Sequence, residues 1–254
     1  VKFPKSKVKF GSRFIQRLFE FMDKPAVPTT RFRNKHFLCL NSRPSNHRDT
    51  IFYHLRDKNN SHLSYRLRNV FLDEDNPWNN NQKNVFKNDP ASVNVDVGKF
   101  ADDPDNNWQT YQDRLDEKYY NDVCVYVCTE TLFGTISYLQ PRGTDETKDT
   151  THWWTEKVIK SFYYKLPLIV IGSPYILESL KSLGFKTFDM FWNESYDRVY
   201  NNEKRMQLLL ELLDNLSNKS IQEMNDLYYS ANMQEVLNHN FKTMFILNDK
   251  YTSS

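Results

Sequence analysis

The chain has 254 residues, of which 39% are hydrophobic and 26% are charged, and its formal net charge is +2. This length allows one large domain or two small ones, and the composition is too apolar for a disordered chain. A net charge this small argues against nucleic acid as a partner. No apolar run approaches the ~20 residues that cross a bilayer, so we expect no membrane span.

Cysteine usage and the first residues bear on the compartment. Cys39, Cys124 and Cys128 lie in or beside apolar runs, and no matching Cys or His pair follows at the spacing of a zinc site. We interpret them as buried free thiols in a reducing environment. The first ten residues lack the long apolar core of a signal peptide. These features together predict a cytoplasmic protein.

The chain divides into a short amino-terminal segment and one main domain. Residues 1–33 are expected to form an arm and a helix from about Ser12 to Asp23, whose apolar side chains share one stripe. We place the main domain at residues 34–254. Within it, residues 73–116 are rich in Asn, Asp and Pro, which predicts a loop-rich insertion.

From residue 36 onward, predicted strands and helices alternate, and this indicates an α/β fold with a Rossmann-like parallel sheet. Apolar runs predict strands at His36–Leu40, Val70–Leu72, Val123–Cys128, Leu168–Ile171 and Lys186–Phe188. Helices are expected at about 47–58, from 156 towards 165, at about 175–183 with Gly184 as its C-cap, and throughout 203–248.

The turn before the predicted strand Leu168–Ile171 is the first candidate binding site. Thr155 is a suitable N-cap, with Glu156 and Lys157 in the first helical turn. Free N–H groups and a partial positive charge collect at a helix amino terminus, so this turn favours phosphate. We predict that it binds a diphosphate with the help of Lys157; the alternative is an ordinary exposed lysine. Glu156 would order Lys157, bind a hydroxyl or simply favour the helix dipole.

A second set of candidates follows the first predicted strand. Arg48 has a planar fork that matches phosphate oxygens, although it could equally face solvent on the first helical turn. His47 either contacts substrate or is structural. Glu130, after the strand Val123–Cys128, is a candidate ribose contact, a catalytic carboxylate or a helix cap. The other polar candidates, directly after the first predicted strand, are Asn41 and Ser42.

Acidic and aromatic residues give further candidates. Asp73–Asp75 and Asp103–Asp105 each fit D-x-D, a pattern that can hold Mn²⁺ or Mg²⁺ on a nucleotide diphosphate. We expect no metal here, and we take these acids, Asp73 first, as candidates for a general base. Trp153, Trp154 and Trp192 would stack on a ring of the ligand or pack in the core. The common motifs of dehydrogenases, ATPases, esterases and metalloproteases do not occur in the sequence.

Three segments together resemble a known family. They are F-L-C-L-N-S-R-P-S-N-H-R-D-T-I-F-Y-H-L at 37–55, V-C-V-Y-V-C-T-E-T-L-F at 123–133 and W-T-E-K-V-I-K-S-F-Y-Y-K-L-P-L-I-V-I-G-S-P at 154–174. They are similar to the donor-binding half of α1,3-fucosyltransferase-like enzymes with GT-B architecture. L-K-S-L-G-F-K-T-F and W-N-E-S-Y-D resemble a viral and phage branch that includes glycosyltransferases of large algal DNA viruses. The resemblance covers about residues 36–200.

The resemblance implies a GT-B-like fold with a reduced amino-terminal portion, a Rossmann-like donor domain and carboxyl-terminal helices. Arg48 and Lys157 would hold the donor diphosphate, and Glu156 would contact the sugar or ribose. The expected reaction is inverting transfer of a sugar from a nucleotide sugar to a hydroxyl of an oligosaccharide or glycoprotein, with no required cofactor. The family usually has Asn where this chain has Glu130, so GDP-fucose and UDP-xylose both remain open as donors. The alternative is a catalytically silent module that binds nucleotide or glycan.

Overall fold

The computed structural model describes residues 32–41, 45–65, 117–134 and 155–252. Within these ranges, four strands form one parallel sheet. The strands are β1 (Lys35–Asn41), β2 (Ser61–Tyr65), β3 (Val123–Thr129) and β4 (Leu168–Ile171).

Seven α-helices accompany this sheet in the described ranges. They are α1 (Asn46–Arg56), α2 (Glu117–Asn121), α3 (Glu156–Tyr163), α4 (Ile176–Ser182), α5 (Asn202–Ser217), α6 (Ile221–Tyr229) and α7 (Ala231–Thr252). A single 3₁₀ turn at Ser195–Arg198 precedes α5. None of the helices in these ranges combines the length and the apolar character that a membrane crossing requires.

The order of the strands places a switch point in the middle of the sheet. The order is β2-β1-β3-β4, so the chain moves from β1 outward to β2 and then returns to the other side of β1 for β3 and β4. In open parallel sheets, ligands bind outside the carboxyl ends of the strands at such a reversal. The α/β class with a parallel sheet is therefore confirmed, in an arrangement compatible with a Rossmann-like fold.

Helices cover the sheet and explain its apolar strands. Every residue of β3 and of β4 is buried, as expected for parallel strands covered on both faces. Helix α1 contacts β2 and α5, whereas α3 contacts β3, β4 and α7. The three cysteines are buried thiols without a disulfide bond, as predicted. Burial raises the pKa of the Cys39 and Cys124 thiols to about 12, which keeps them protonated and unreactive.

One prediction for the carboxyl-terminal half is wrong. Lys186–Phe188 forms no strand, because the backbone N–H and C=O of Lys186 both bind the side-chain amide of Asn240 at 2.8 Å. The helical character predicted throughout 203–248 is present as three helices, α5, α6 and α7. Ser220 and Glu223 form a capping box that starts α6 as a new helix.

The predicted end of α4 is confirmed. Gly184 has a positive φ of 94°, and its N–H donates to Lys181 O at 3.0 Å while the Phe185 N–H donates to Leu180 O at 3.2 Å. This pair of bonds is a Schellman motif, in which glycine tolerates the left-handed backbone. The predicted arm and helix in residues 1–33, the strand Val70–Leu72 and the insertion 73–116 lie outside the described residues, apart from residues 32 and 33.

Candidate functional site

The centre of the candidate site is Glu130, the residue that directly follows β3. Its side chain is fully buried, with 0% of its surface exposed. Its backbone N–H donates to Ile171 O of β4 at 2.9 Å, so the sheet ladder continues one residue beyond the strand. Glu130 is therefore held rigidly at the carboxyl edge of the sheet, beside the switch point between β1 and β3.

Two neighbouring side chains of α1 contact the backbone oxygen of Glu130. His47 Nε2 lies 2.9 Å from this oxygen, and Arg48 Nη2 donates to it at 3.1 Å. Because a carbonyl oxygen only accepts, His47 must carry its proton on Nε2. Burial is the main cause that lowers the pKa of His47 to about 4; the charges of Arg48, Arg205 and Lys157 act in the same direction, and the hydrogen bond to Glu130 O acts against them. The imidazole is therefore neutral at physiological pH.

The carboxylate of Glu130 binds the start of α3. The Thr155 N–H donates to Glu130 Oε1 at 2.7 Å, and the Thr155 hydroxyl donates to Oε2 at 2.8 Å. The Lys157 ammonium lies 3.6 Å from the same Oε2 and donates to Thr155 Oγ1 at 3.1 Å. Thr155 occupies the predicted N-cap position, but its hydroxyl makes no cap bond and is directed to Glu130 instead. Of the three roles considered for Glu130, these hydrogen bonds fit the capping carboxylate, and the roles as ribose contact and catalytic carboxylate stay predictions.

The structure thus brings Arg48 and Lys157 to one residue, although they lie far apart in sequence. Arg48 contacts the backbone oxygen of Glu130 and Lys157 contacts its carboxylate. Among the described residues, these two cationic side chains contact Glu130, and the side chain of Lys157 keeps 22% of its surface exposed. Positive charge at the edge of a parallel sheet favours an anionic ligand.

Asn41 joins the ends of the two central strands. It is the last residue of β1, and its Oδ1 accepts a hydrogen bond from the hydroxyl of Thr129, the last residue of β3. Its amide group donates to Cys39 Sγ at 3.4 Å. Asn41 is buried, so it stabilises the edge of the sheet at the switch point. Its predicted contact with a donor stays a prediction.

Several predicted site residues cannot be placed. Asp73, Ser42 and Trp153 lie outside the described residues, and so does the side chain of Glu156. Their predicted roles as base and donor contacts stay predictions. Trp192 is buried and stacks on Phe188 at 5.4 Å between ring centroids, which is the core role that we considered as its alternative.

Two residues that contact the site were not predicted from the sequence. The ring of Phe133 stacks on His47 with 5.3 Å between centroids and 13° between planes. The guanidinium of Arg205 lies over the ring of Phe133, 4.3 Å from its centroid, and also donates a hydrogen bond to Phe133 O. It also donates to Val199 O at 2.6 Å and to Asn202 Oδ1 at 2.7 Å. Arg205 therefore fixes the loop after β3 on which His47 rests.

One signal for Arg205 was present in the sequence. Leu209, Leu212 and Leu216 follow it at helical spacing, so a charged residue occupies the apolar stripe of α5. Burial lowers the pKa of Arg205 to about 10, which leaves the guanidinium charged at neutral pH. A buried charge needs hydrogen-bond partners, and here backbone and amide oxygens accept from Nη1 and Nη2 of Arg205.

The described residues show no group of three or more His, Cys, Asp or Glu side chains that could hold a metal ion. Comparison of the chain with models of known families, with curated proteins and with solved structures gave no significant match. The arrangement is a candidate site at the carboxyl edge of a parallel sheet, where a neutral histidine and Arg48 contact the backbone oxygen of Glu130 and Lys157 approaches its buried carboxylate.

Proposed function

We propose that the chain is a GT-B-like glycosyltransferase that binds the diphosphate of a nucleotide sugar between Arg48 and Lys157. The single observation that carries the proposal is the contact of both cations with Glu130, at the switch point of a parallel sheet. This is the position at which open α/β sheets bind their ligands. The resemblance of residues 36–200 to the donor-binding half of α1,3-fucosyltransferase-like enzymes supports the same class of ligand.

The two cations have complementary properties for a diphosphate. Arg48 offers a planar fork that binds two oxygens, whereas the ammonium of Lys157 is a point charge with three donors. One of those donors binds Thr155 Oγ1, and the 3.6 Å approach to Glu130 is longer than a hydrogen bond. A diphosphate oxygen next to Lys157 would therefore add contacts without breaking the bonds that hold α3.

The proposed reaction is a single displacement at the anomeric carbon of the donor sugar. The acceptor hydroxyl attacks, a carboxylate for which Asp73 is the candidate takes its proton, and the nucleoside diphosphate leaves with the bonding electron pair. Arg48, Lys157 and the first N–H groups of α3 would stabilise the negative charge that grows on the leaving group. Loss of one such preorganised donor typically lowers turnover about 10²-fold or more.

The first experiment measures ligand binding. A thermal-shift panel of GDP, UDP, CMP and ADP identifies the base, because a ligand that binds the native state raises the melting temperature by mass action. We expect a shift with one base and a weaker shift with Lys157→Ala. The control is Lys186→Ala, which removes the same charge from an exposed ion pair with Glu235.

The second experiment measures turnover with the donor that the panel identifies. Lys157→Ala should lower turnover by about 10²-fold, while Lys186→Ala should leave it unchanged. Turnover like that of the unmodified chain in Lys157→Ala would remove this residue from the mechanism. Absence of any shift with all four nucleotides would refute the proposed ligand class.

A role in binding without transfer is the second candidate, and one observation favours it. The carboxylate of Glu130, which Lys157 approaches, is fully buried and already accepts two hydrogen bonds from Thr155. It is not placed to take a proton from an acceptor. Hydrolysis of the donor by the purified chain separates the two candidates, because a binding module would hold the nucleotide sugar intact.

A further inference from the structure

Tyr175 has an unusual backbone conformation at the same edge of the sheet. It follows β4 after a short turn, and its φ of 62° and ψ of 19° are left-handed, a region that costs an ordinary side chain free energy. Its N–H donates to Asp197 O at 2.6 Å. The Asp197 carboxylate in turn accepts the N–H groups of Leu177 at 3.0 Å and Glu178 at 3.3 Å. The surrounding structure thus maintains a strained residue, as is common at ligand sites.

Tyr200 brings a second aromatic ring to Tyr175. The ring centroids are 5.4 Å apart, and the ring planes are tilted by 55°, so neither ring lies flat on the other. Tyr200 has 47% of its surface exposed, although its backbone oxygen accepts a hydrogen bond from Arg205 Nη1 at 3.2 Å. A fixed backbone beneath an exposed ring is a favourable platform for a planar ligand, because little conformational entropy is left to lose.

The loop after β3 connects the two tyrosines to the site around Glu130. The Arg205 guanidinium that binds Tyr200 O also binds Phe133 O, and the Phe133 ring stacks on His47. The next residue of that loop, Gly134, accepts a hydrogen bond from Ser173 Oγ at 3.5 Å. Since Ser173 lies in the turn between β4 and Tyr175, both tyrosines adjoin the loop that supports His47.

We infer that Tyr175 and Tyr200 form an aromatic subsite that stacks the nucleobase of the ligand whose diphosphate lies at Arg48 and Lys157. The inference rests on the proposed function and adds to it the position of the base. Every nucleobase has a π face, so an aromatic side chain can stack on it largely independently of which base it is. A ligand that runs along the carboxyl edge from β1 past β3 to β4 would contact the cations at one end and the tyrosines at the other.

The test compares inorganic pyrophosphate with a nucleoside diphosphate, UDP or GDP, by titration calorimetry. In Tyr200→Ala, the affinity for the nucleoside diphosphate should fall roughly 5- to 100-fold, the range typical of one base–aromatic stack. The affinity for pyrophosphate should not change. Tyr200→Phe keeps the ring face and should retain the affinity of the unmodified chain.

Tyr175→Gly is the second variant. We expect it to fold like the unmodified chain, because glycine adopts a φ of 62° without strain. It should show the same selective loss as Tyr200→Ala. Equal affinity of the unmodified chain for pyrophosphate and for both nucleotides would overturn the base subsite and leave the diphosphate site standing. An equal loss of affinity for pyrophosphate and for the nucleoside diphosphate in the tyrosine variants would also overturn the base subsite. Binding of neither ligand by the unmodified chain would overturn this inference together with the proposed function.

Discussion

Replacing Glu130 by glutamine tests the central feature of the site. The substitution keeps the size of the side chain and removes its charge. The buried carboxylate accepts the Thr155 N–H at 2.7 Å and the Thr155 hydroxyl at 2.8 Å, and it lies 3.6 Å from the Lys157 ammonium. Hydrogen bonds to a charged group contribute roughly 1.5–3 kcal/mol each, and glutamine offers one acceptor oxygen where the carboxylate offers two. We expect the free energy of unfolding to fall by about 2–4 kcal/mol.

The assay is urea denaturation, supported by thermal unfolding. For a chain of this size, each kcal/mol lowers the melting temperature by roughly 2–4 °C, so the expected fall is about 4–16 °C. The control is Glu235→Gln, the same chemical change at a carboxylate that is 69% exposed and pairs with Lys186 at 2.8 Å. Exposed pairs contribute about 0–1 kcal/mol. If Glu130→Gln destabilises the protein no more than this control does, Glu130 does not hold α3 in place.

The same variant separates two roles of Glu130 in binding. Removing its negative charge should raise the affinity for pyrophosphate, because Lys157 then faces no competing carboxylate. A role in binding the ribose instead predicts a loss of affinity for the nucleoside diphosphate with no loss for pyrophosphate. Titration with both ligands at low and high salt distinguishes these outcomes, since the electrostatic gain must shrink as salt increases.

Three further predictions concern the surroundings of the site. Arg205→Lys keeps the charge but loses the fork that binds Phe133 O and Val199 O, so urea denaturation should show a loss of about 2–4 kcal/mol; unchanged stability would contradict this role. Gly184→Ala should cost about 1–2 kcal/mol, because its φ is 94° while the nearest atom to the new Cβ lies at an ordinary 3.6 Å; a neutral effect would contradict the strain. Burial raises the pKa of Glu194 from 4.5 to about 7. Between these pH values the native state binds more protons than the unfolded state, so the stabilisation by the protonated carboxyl group is complete below pH ~4.5 and is lost as the pH rises through 7. Glu194→Gln should therefore match the unmodified chain at pH ~4.5 and exceed its stability by roughly 2 kcal/mol at pH ~8; a less stable variant at pH 8 would refute the sign.

Strands buried on both faces were predictable from the sequence. β3 and β4 are continuous apolar runs because helices cover both of their faces. β2 was missed, since in Ser-His-Leu-Ser-Tyr only Leu63 is a buried aliphatic residue, and among the described strands β2 pairs with β1 only. Lys186–Phe188 has a strand-like pattern, but Asn240, 54 residues away from Lys186, takes its backbone groups. Local periodicity carries no information about such a distant partner.

The candidate site was also predictable only in part, because some of its features follow from local sequence and others depend on distant partners. The positions of Arg48 and Lys157 follow from local rules, because each lies in the first turn of a helix at the carboxyl edge of the sheet. The choice among three roles for Glu130 depended on where Thr155 lies, which is a matter of tertiary packing. Arg205 reaches Phe133 across 72 residues of chain, so its part in the site was visible only as a charge on an apolar stripe.

The separations along the chain have a consequence for synthesis of the protein. His47 contacts Glu130 across 83 residues of chain. The guanidinium of Arg205, which holds the loop after β3, lies a further 72 residues beyond Phe133. A nascent chain that has exposed all four strands still lacks α5, which covers α1 in the finished fold. Until α5 leaves the ribosome, the surface of α1 that it contacts remains uncovered, and such intermediates tend to aggregate. Chaperones that retain the growing chain for that interval should therefore raise the yield of folded protein.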